Sequence, residues 1–168
     1  MSNIDQLFSG MAKADINSSG TYMGDGVYEI ETKSLFVKVG RNPAKPGDSF
    51  ICEFTIVKSN NPAHAVGSTG SYVLKFSNPY AMGNIVELVM AILGYQNTKD
   101  NQSNPAIRKE VDLVTRASCG SDTAKGELGA DYAPDMLTGV RLHLECAKKP
   151  TLKGGEFTVH KWSPIAAS

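Results

Sequence analysis

Apolar and polar residues alternate most clearly over Phe50–Ser59. Phe50, Cys52, Phe54 and Ile56 fall on one face of an extended chain, and Ile51, Glu53, Thr55 and Val57 on the other. Turn residues bracket the run, Pro46-Gly47-Asp48 before it and Ser59-Asn60-Asn61-Pro62 after it. The pattern predicts the central strand of a small, strongly curved sheet. Upstream, Gly24-Asp25-Gly26 launches a strand in which Tyr28 and Ile30 share one parity, while Leu35, Val37 and Val39 take the other. One extra residue around Lys33-Ser34 makes that shift; such a bulge also bends a strand, as closing a small barrel requires. Ser71–Phe76 reads as a third strand with Tyr72, Leu74 and Phe76 on one side.

The period then changes. Ile85, Leu88, Val89 and Ile92 recur at helical spacing, with Asn78-Pro79 as the start signal and Gly94 as the stop. Asn104-Pro105 repeats the start signal ahead of Ile107, Val111 and Val114, and Cys119-Gly120 ends that run. Ser121–Leu137, broken by Gly126, Gly129 and Pro134, reads as irregular. A final hairpin follows. Val140, Leu142, Leu144 and Cys146 face inward on its first strand, and Phe157 and Val159 are expected inward on its second, opposite Thr158, His160 and Trp162.

Strands, helices, then strands again predict a mainly β fold: an OB-like small curved barrel of about five strands with one or two inserted helices. Residues 21–168 form a single domain with a helical insertion at about 79–119. Residues 1–20 read as a flexible N-terminal arm, whose Leu7, Phe8 and Met11 form one apolar turn able to dock on the body.

A chain of 168 residues is long enough for one real core. No apolar run approaches the length of a membrane span, and the N-terminus lacks the pattern of a secretory signal, so no membrane partner and an intracellular location are expected. Cys52, Cys119 and Cys146 are three widely spaced residues without a Cys-x-x-Cys pair, which argues against a disulfide framework or a structural zinc site. Net charge is zero, but its distribution is uneven. Lys33–Lys75 holds six bases and two acids, Arg141–Lys161 five and two, and Asp100–Asp135 four and seven. A basic half suggests a surface for an anionic partner.

No catalytic constellation is visible, so the protein is expected not to be an enzyme and to need no cofactor or metal. His143 and His160 can face each other on the terminal hairpin, but Cys146 points away from His143. Glu29, Glu31 and Lys33 resemble part of a metal-nuclease set without its further aspartate. No phosphate-cradling Gly-Lys-Ser/Thr motif is present. A binding surface is better supported. Single strands of nucleic acid are held by rings that stack on bases and cations that track phosphates. The polar strand faces offer Phe36 beside Lys38, Tyr72 near Lys75, and Lys161 beside Trp162, with Arg41, Lys58, Arg141 and His143 in addition. Phe36 and Trp162 lie out of phase with their apolar neighbours and are expected to be exposed; Tyr72 shares parity with Leu74 and leans toward the core.

The run Phe50–Ser59, the loop Asn60–Ser68, the helix Ala81–Gly94 and the end Lys161-Trp162-Ser163-Pro164 together resemble small proteins of tailed-phage replication modules, of the single-stranded DNA-binding type. The resemblance covers about Tyr22–Gly94 and Val140–Pro164, and Asn101–Met136 lies outside it. It implies a non-catalytic single-stranded DNA-binding protein of a phage replication or recombination module, working in the cytoplasm of an infected bacterium. Phage or host replication proteins and a second copy of the chain are further partners that it allows. The alternative is a protein-interaction module on the same barrel.

Overall fold

A computed structural model describes residues 4–5, 8, 24–38, 48–77, 80–150 and 156–165. Five strands form one antiparallel sheet: β1 (Gly26–Lys38), β2 (Ser49–Ser59), β3 (Thr69–Lys75), β4 (Arg141–Pro150) and β5 (Glu156–Pro164). Their order is β3-β2-β1-β4-β5. The first three form a meander and the last two a hairpin, with the start of β1 paired to β4.

The phase change in β1 is a bulge at the expected place. Thr32 pairs with Phe54 and Ser34 with Glu53, so Lys33 is the inserted residue. A second shift inserts Val57 on β2, between the pairs Glu29–Lys58 and Ile30–Ile56. Both irregularities keep apolar side chains on one concave face while the strands bend. Tyr28, Ile30, Leu35, Phe50, Cys52, Phe54, Ile56, Tyr72, Leu74, Leu142, Leu144 and Cys146 line that face, all buried.

Between β3 and β4 lie four helices: α1 (Ala81–Ile92), α2 (Lys99–Ser103), α3 (Pro105–Ser118) and α4 (Asp122–Leu128), followed by a 3-10 turn at Gly129–Asp131. Helix α1 is buried on nearly every side, as its apolar composition requires. It packs on β5, β3 and β4 from one side and on α3 from the other. It ends where expected, at Gly94, whose φ of +92° is one that L side chains rarely adopt. Its start is different. Tyr80 holds the cap position without a side-chain bond to the helix, and Asn78 and Pro79 lie outside the described residues. Asn104 does cap α3, its Oδ1 accepting from the N–H of Ala106 and of Ile107 at 3.0 and 3.4 Å. The expected irregular stretch after Cys119 is corrected by α4: Ser121 Oγ accepts from the Ala124 N–H at 3.2 Å, and the helix runs through Gly126.

The sheet is not closed; β3 and β5 remain its edges. The curl nevertheless brings their side chains together. The Tyr72 ring lies 5.0 Å from His160 and 5.2 Å from Trp162, centroid to centroid, and Trp162 meets Phe54 edge-on at 5.9 Å. Helix α1 contacts both edge strands, and its Asn84 and Glu87 are buried. At the N-terminus Phe8 is buried, edge-on to Phe50 and Phe76 at 6.5 and 5.3 Å. Leu7 and Met11 lie outside the described residues.

Candidate nucleic-acid interface

The convex face of the sheet is a grid whose rows are set by strand register. Starting from the Lys38 end of β1, the first row is Lys38–Ser49–Lys75 and the next Phe36–Ile51–Val73. Ser34–Glu53–Ser71 follows, closed by a hydrogen bond from Ser34 Oγ to Glu53 Oε2 at 3.3 Å. Then come Glu31 with Thr55 and Arg141, and Glu29 with Lys58 and His143. Val27–Glu145–Lys161 lies beyond them.

Most bases of the convex face stand beside acids. Lys58 Nζ lies 3.5 Å from Glu29. Arg141 stands opposite Glu31, and Lys161 opposite Glu145. Cross-strand neighbours sit about 5 Å apart, so these bases face acids across the ladder. Lys38 and Lys75 differ. Both are exposed, both flank Ser49, and no ion pair among the described residues joins either one. Two strand spacings put their Cα atoms about 10 Å apart. The adjoining row is apolar: Phe36 is 36 % exposed, and Ile51 and Val73 are half-buried beside it.

All of the expected contact residues except Arg41 are among the described residues. Phe36, Lys38 and Lys75 come together in one patch. Lys58, Arg141, His143 and Lys161 occupy the same convex face farther along, and His143 is half-buried between Glu29 and Ser163. Arg41 lies outside the described residues. Tyr72 is in the core, as its parity indicated, and is therefore removed from the solvent face. The expected exposure of Trp162 is corrected: it is 2 % exposed. The register pairs Trp162 with Leu144 and His160 with Cys146, so these β5 residues share the concave face of β4. His143 and His160 accordingly point to opposite faces rather than at each other.

Burial pushes the thiols of Cys52, Cys119 and Cys146 up to about 12, which keeps them protonated at neutral pH. Burial also raises the Tyr72 hydroxyl far above its usual range; the Glu87 charge adds to this, and the Trp162 indole acts against it. Among the described residues no group of three His, Cys, Asp or Glu side chains is placed to hold a metal ion. No helix of the described residues is long and apolar enough to cross a membrane.

Sequence reasoning missed a second polar constellation. Asn60 Oδ1 accepts from the Val27 N–H at 2.9 Å, and His64 Nε2 from the Gly24 N–H at 3.0 Å. Asn61 Nδ2 donates to the Asp25 carbonyl, and Tyr28 donates its hydroxyl proton to the Gly24 carbonyl at 2.7 Å. These bonds pin the loop after β2 to the start of β1. A side chain at Gly26 would meet Asn60 Oδ1 at 2.7 Å, which is the reason for glycine there. The loop lies at the opposite end of β2 from Lys38 and Lys75, so it frames the fold rather than the patch.

No protein-family model matches the chain, and no curated protein matches it significantly.

Proposed function

We propose that the protein is a non-catalytic single-stranded DNA-binding protein that uses the convex face of β1, β2 and β3. The observation that carries this reading is the row Lys38–Ser49–Lys75, two exposed cations, lying next to the row headed by the exposed Phe36. A ring supplies a sequence-tolerant stacking platform, and two ammonium groups on the same face supply phosphate contacts. Paired bases cannot lie on a ring, so single strands are favoured over duplex.

The fold supports the same reading. The order β3-β2-β1-β4-β5, the helical insertion between β3 and β4, and the meeting of the edge strands through Tyr72 and Trp162 suit a partly open oligonucleotide-binding barrel. In that architecture the face of strands 2 and 3 and the loop between strands 1 and 2 take the ligand; here that loop carries Arg41 and Lys45. The proposed role is in DNA replication or recombination, as the resemblance to replication-module proteins of tailed phages implies. The test is fluorescence anisotropy of a labelled oligo-dT, titrated with protein alongside a duplex of the same length. Tighter binding to the single strand supports the proposal; no binding at low salt overturns it.

A further inference from the structure

Near the N-terminus, Asp5 and Phe8 are docked as the anchors of a ligand would be. Ile4 and Asp5 lie in a helical turn, and the Phe8 N–H donates to the Ile4 carbonyl at 3.2 Å. Three positions apart on a helical turn, Asp5 and Phe8 point to one side. Phe8 enters an aromatic slot made by Phe50 of β2 and Phe76 just after β3. Asp5 enters a polar clamp on the helical insertion: its Oδ1 accepts from Arg116 Nη1 at 2.7 Å and from Ser121 Oγ at 2.6 Å. Arg116 is itself oriented by a second carboxylate. Its Nε and Nη2 donate to the two oxygens of Asp112 at 3.2 and 2.9 Å, one helical turn away. Ser121 Oγ also caps α4 through Ala124. The clamp is shielded, with the Arg116 and Asp5 side chains 14 % and 6 % exposed. Charge-assisted bonds at one end and an aromatic anchor at the other are what a groove uses to read a short helical peptide.

Residues 9–23 join Phe8 to the first strand, and extended they span at most about 50 Å. That is longer than the diameter of a domain this size, so the covalent link alone does not dictate that this segment fills this groove. We infer that the groove between the Phe50–Phe76 slot and the Arg116–Ser121 clamp is a peptide-docking site and that Asp5 and Phe8 anchor its tethered occupant. The partner that fits it is a protein presenting a carboxylate and, three residues later, an aromatic ring on one helical turn. Such a partner displaces the N-terminus. The inference does not depend on DNA binding, because Lys38 and Lys75 lie on the convex face whereas Phe50 lies on the concave one.

The experiment uses a fluorescein-labelled peptide of residues 1–11 and the full chain in two forms, wild type and a chain carrying Asp5→Ala and Phe8→Ala. The doubly substituted chain has its groove emptied of the two anchors and binds the peptide. The wild type binds it at least about tenfold more weakly, because a tethered competitor acts at an effective concentration near the millimolar range. Adding Arg116→Met to the substituted chain removes the binding, and so does Phe8→Ala in the peptide. The inference is overturned if the substituted chain melts cooperatively yet binds no peptide, or if wild type binds the peptide equally well. It is also overturned if the substituted chain fails to fold, which makes the segment an inseparable part of the core. A wild type that sediments as a dimer, where the substituted chain is a monomer, assigns the groove to the N-terminus of a second copy and overturns the tethered form.

Discussion

Tyr72 and Trp162 sit on the two opposite edge strands of the sheet, yet their ring centroids are 5.2 Å apart. This contact, backed by Phe54 beneath Trp162 and by α1 over the gap, seals the side of the molecule that strand pairing leaves open. Trp162→Ala is therefore a core truncation. It should cost about 3–5 kcal/mol, as large aromatic deletions do in packed interiors. Urea denaturation monitored by circular dichroism checks this. A loss under about 1 kcal/mol would remove the sealing role.

The strand framework was legible in the sequence because its inward positions are apolar at a strict period, and the bulge at Lys33 showed as a change of parity. The facing of β5 was not. Its concave side carries His160 and Trp162, while Val159, on the other parity, looks like the more apolar choice. His160, buried across from Cys146, takes the concave parity that Val159 does not. The Asn-Pro signal occurs twice, and the structure shows a side-chain cap at Asn104, whereas α1 begins beyond Pro79 at Ala81. Helix α4 was hidden by Gly126. The basic surface was overestimated for a different reason: counting charges along the chain cannot see that Glu29, Glu31 and Glu145 face Lys58, Arg141 and Lys161 from neighbouring strands. Phe36, Lys38 and Lys75 were legible as types, but only register brings Lys38 and Lys75 to either side of Ser49.

Thr32 joins the bent strand β1 to the approach to β4. Its buried hydroxyl donates to the Leu137 carbonyl at 2.8 Å and accepts from the Val140 N–H at 3.0 Å. Thr32→Val keeps the shape and strands both backbone groups. The expected loss is about 1–3 kcal/mol for such an unsatisfied buried group. Thermal melts of the variant check it, with Thr32→Ser, which restores the hydroxyl, recovering most of the loss.

The cap of α3 offers a smaller, local effect. Asn104→Ala should cost about 1 kcal/mol, and Asn104→Asp much less, because an aspartate retains the acceptor for the Ala106 and Ile107 amides. Paired chemical denaturation curves distinguish the two.

Alkaline stability follows from the thiols of the buried Cys52 and Cys146 and the half-buried Cys119. Each is raised in the folded state from 9.0 to about 12, so between those values the folded chain holds protons that the unfolded chain releases. Stability contributed by keeping the thiols neutral is complete below about pH 9 and falls as pH rises toward 12. Denaturation midpoints should decline over that range, and the decline should be shallower in Cys52→Ala when each curve is referred to its own value at pH 8.

We propose that Lys38 and Lys75 beside Phe36, rather than the whole basic complement, hold single-stranded DNA. The most direct measurement is the salt dependence of oligo-dT affinity by anisotropy in wild type, Lys38→Ala, Lys75→Ala, Lys58→Ala and Phe36→Ala. Each lysine of the patch should flatten the slope of log affinity against log salt by about 0.7. Lys58, already facing Glu29, should change it little. Phe36→Ala should cost about 1–3 kcal/mol with the slope unchanged. Slopes that fall equally for Lys58→Ala and Lys38→Ala, or an affinity indifferent to Phe36, would contradict the account.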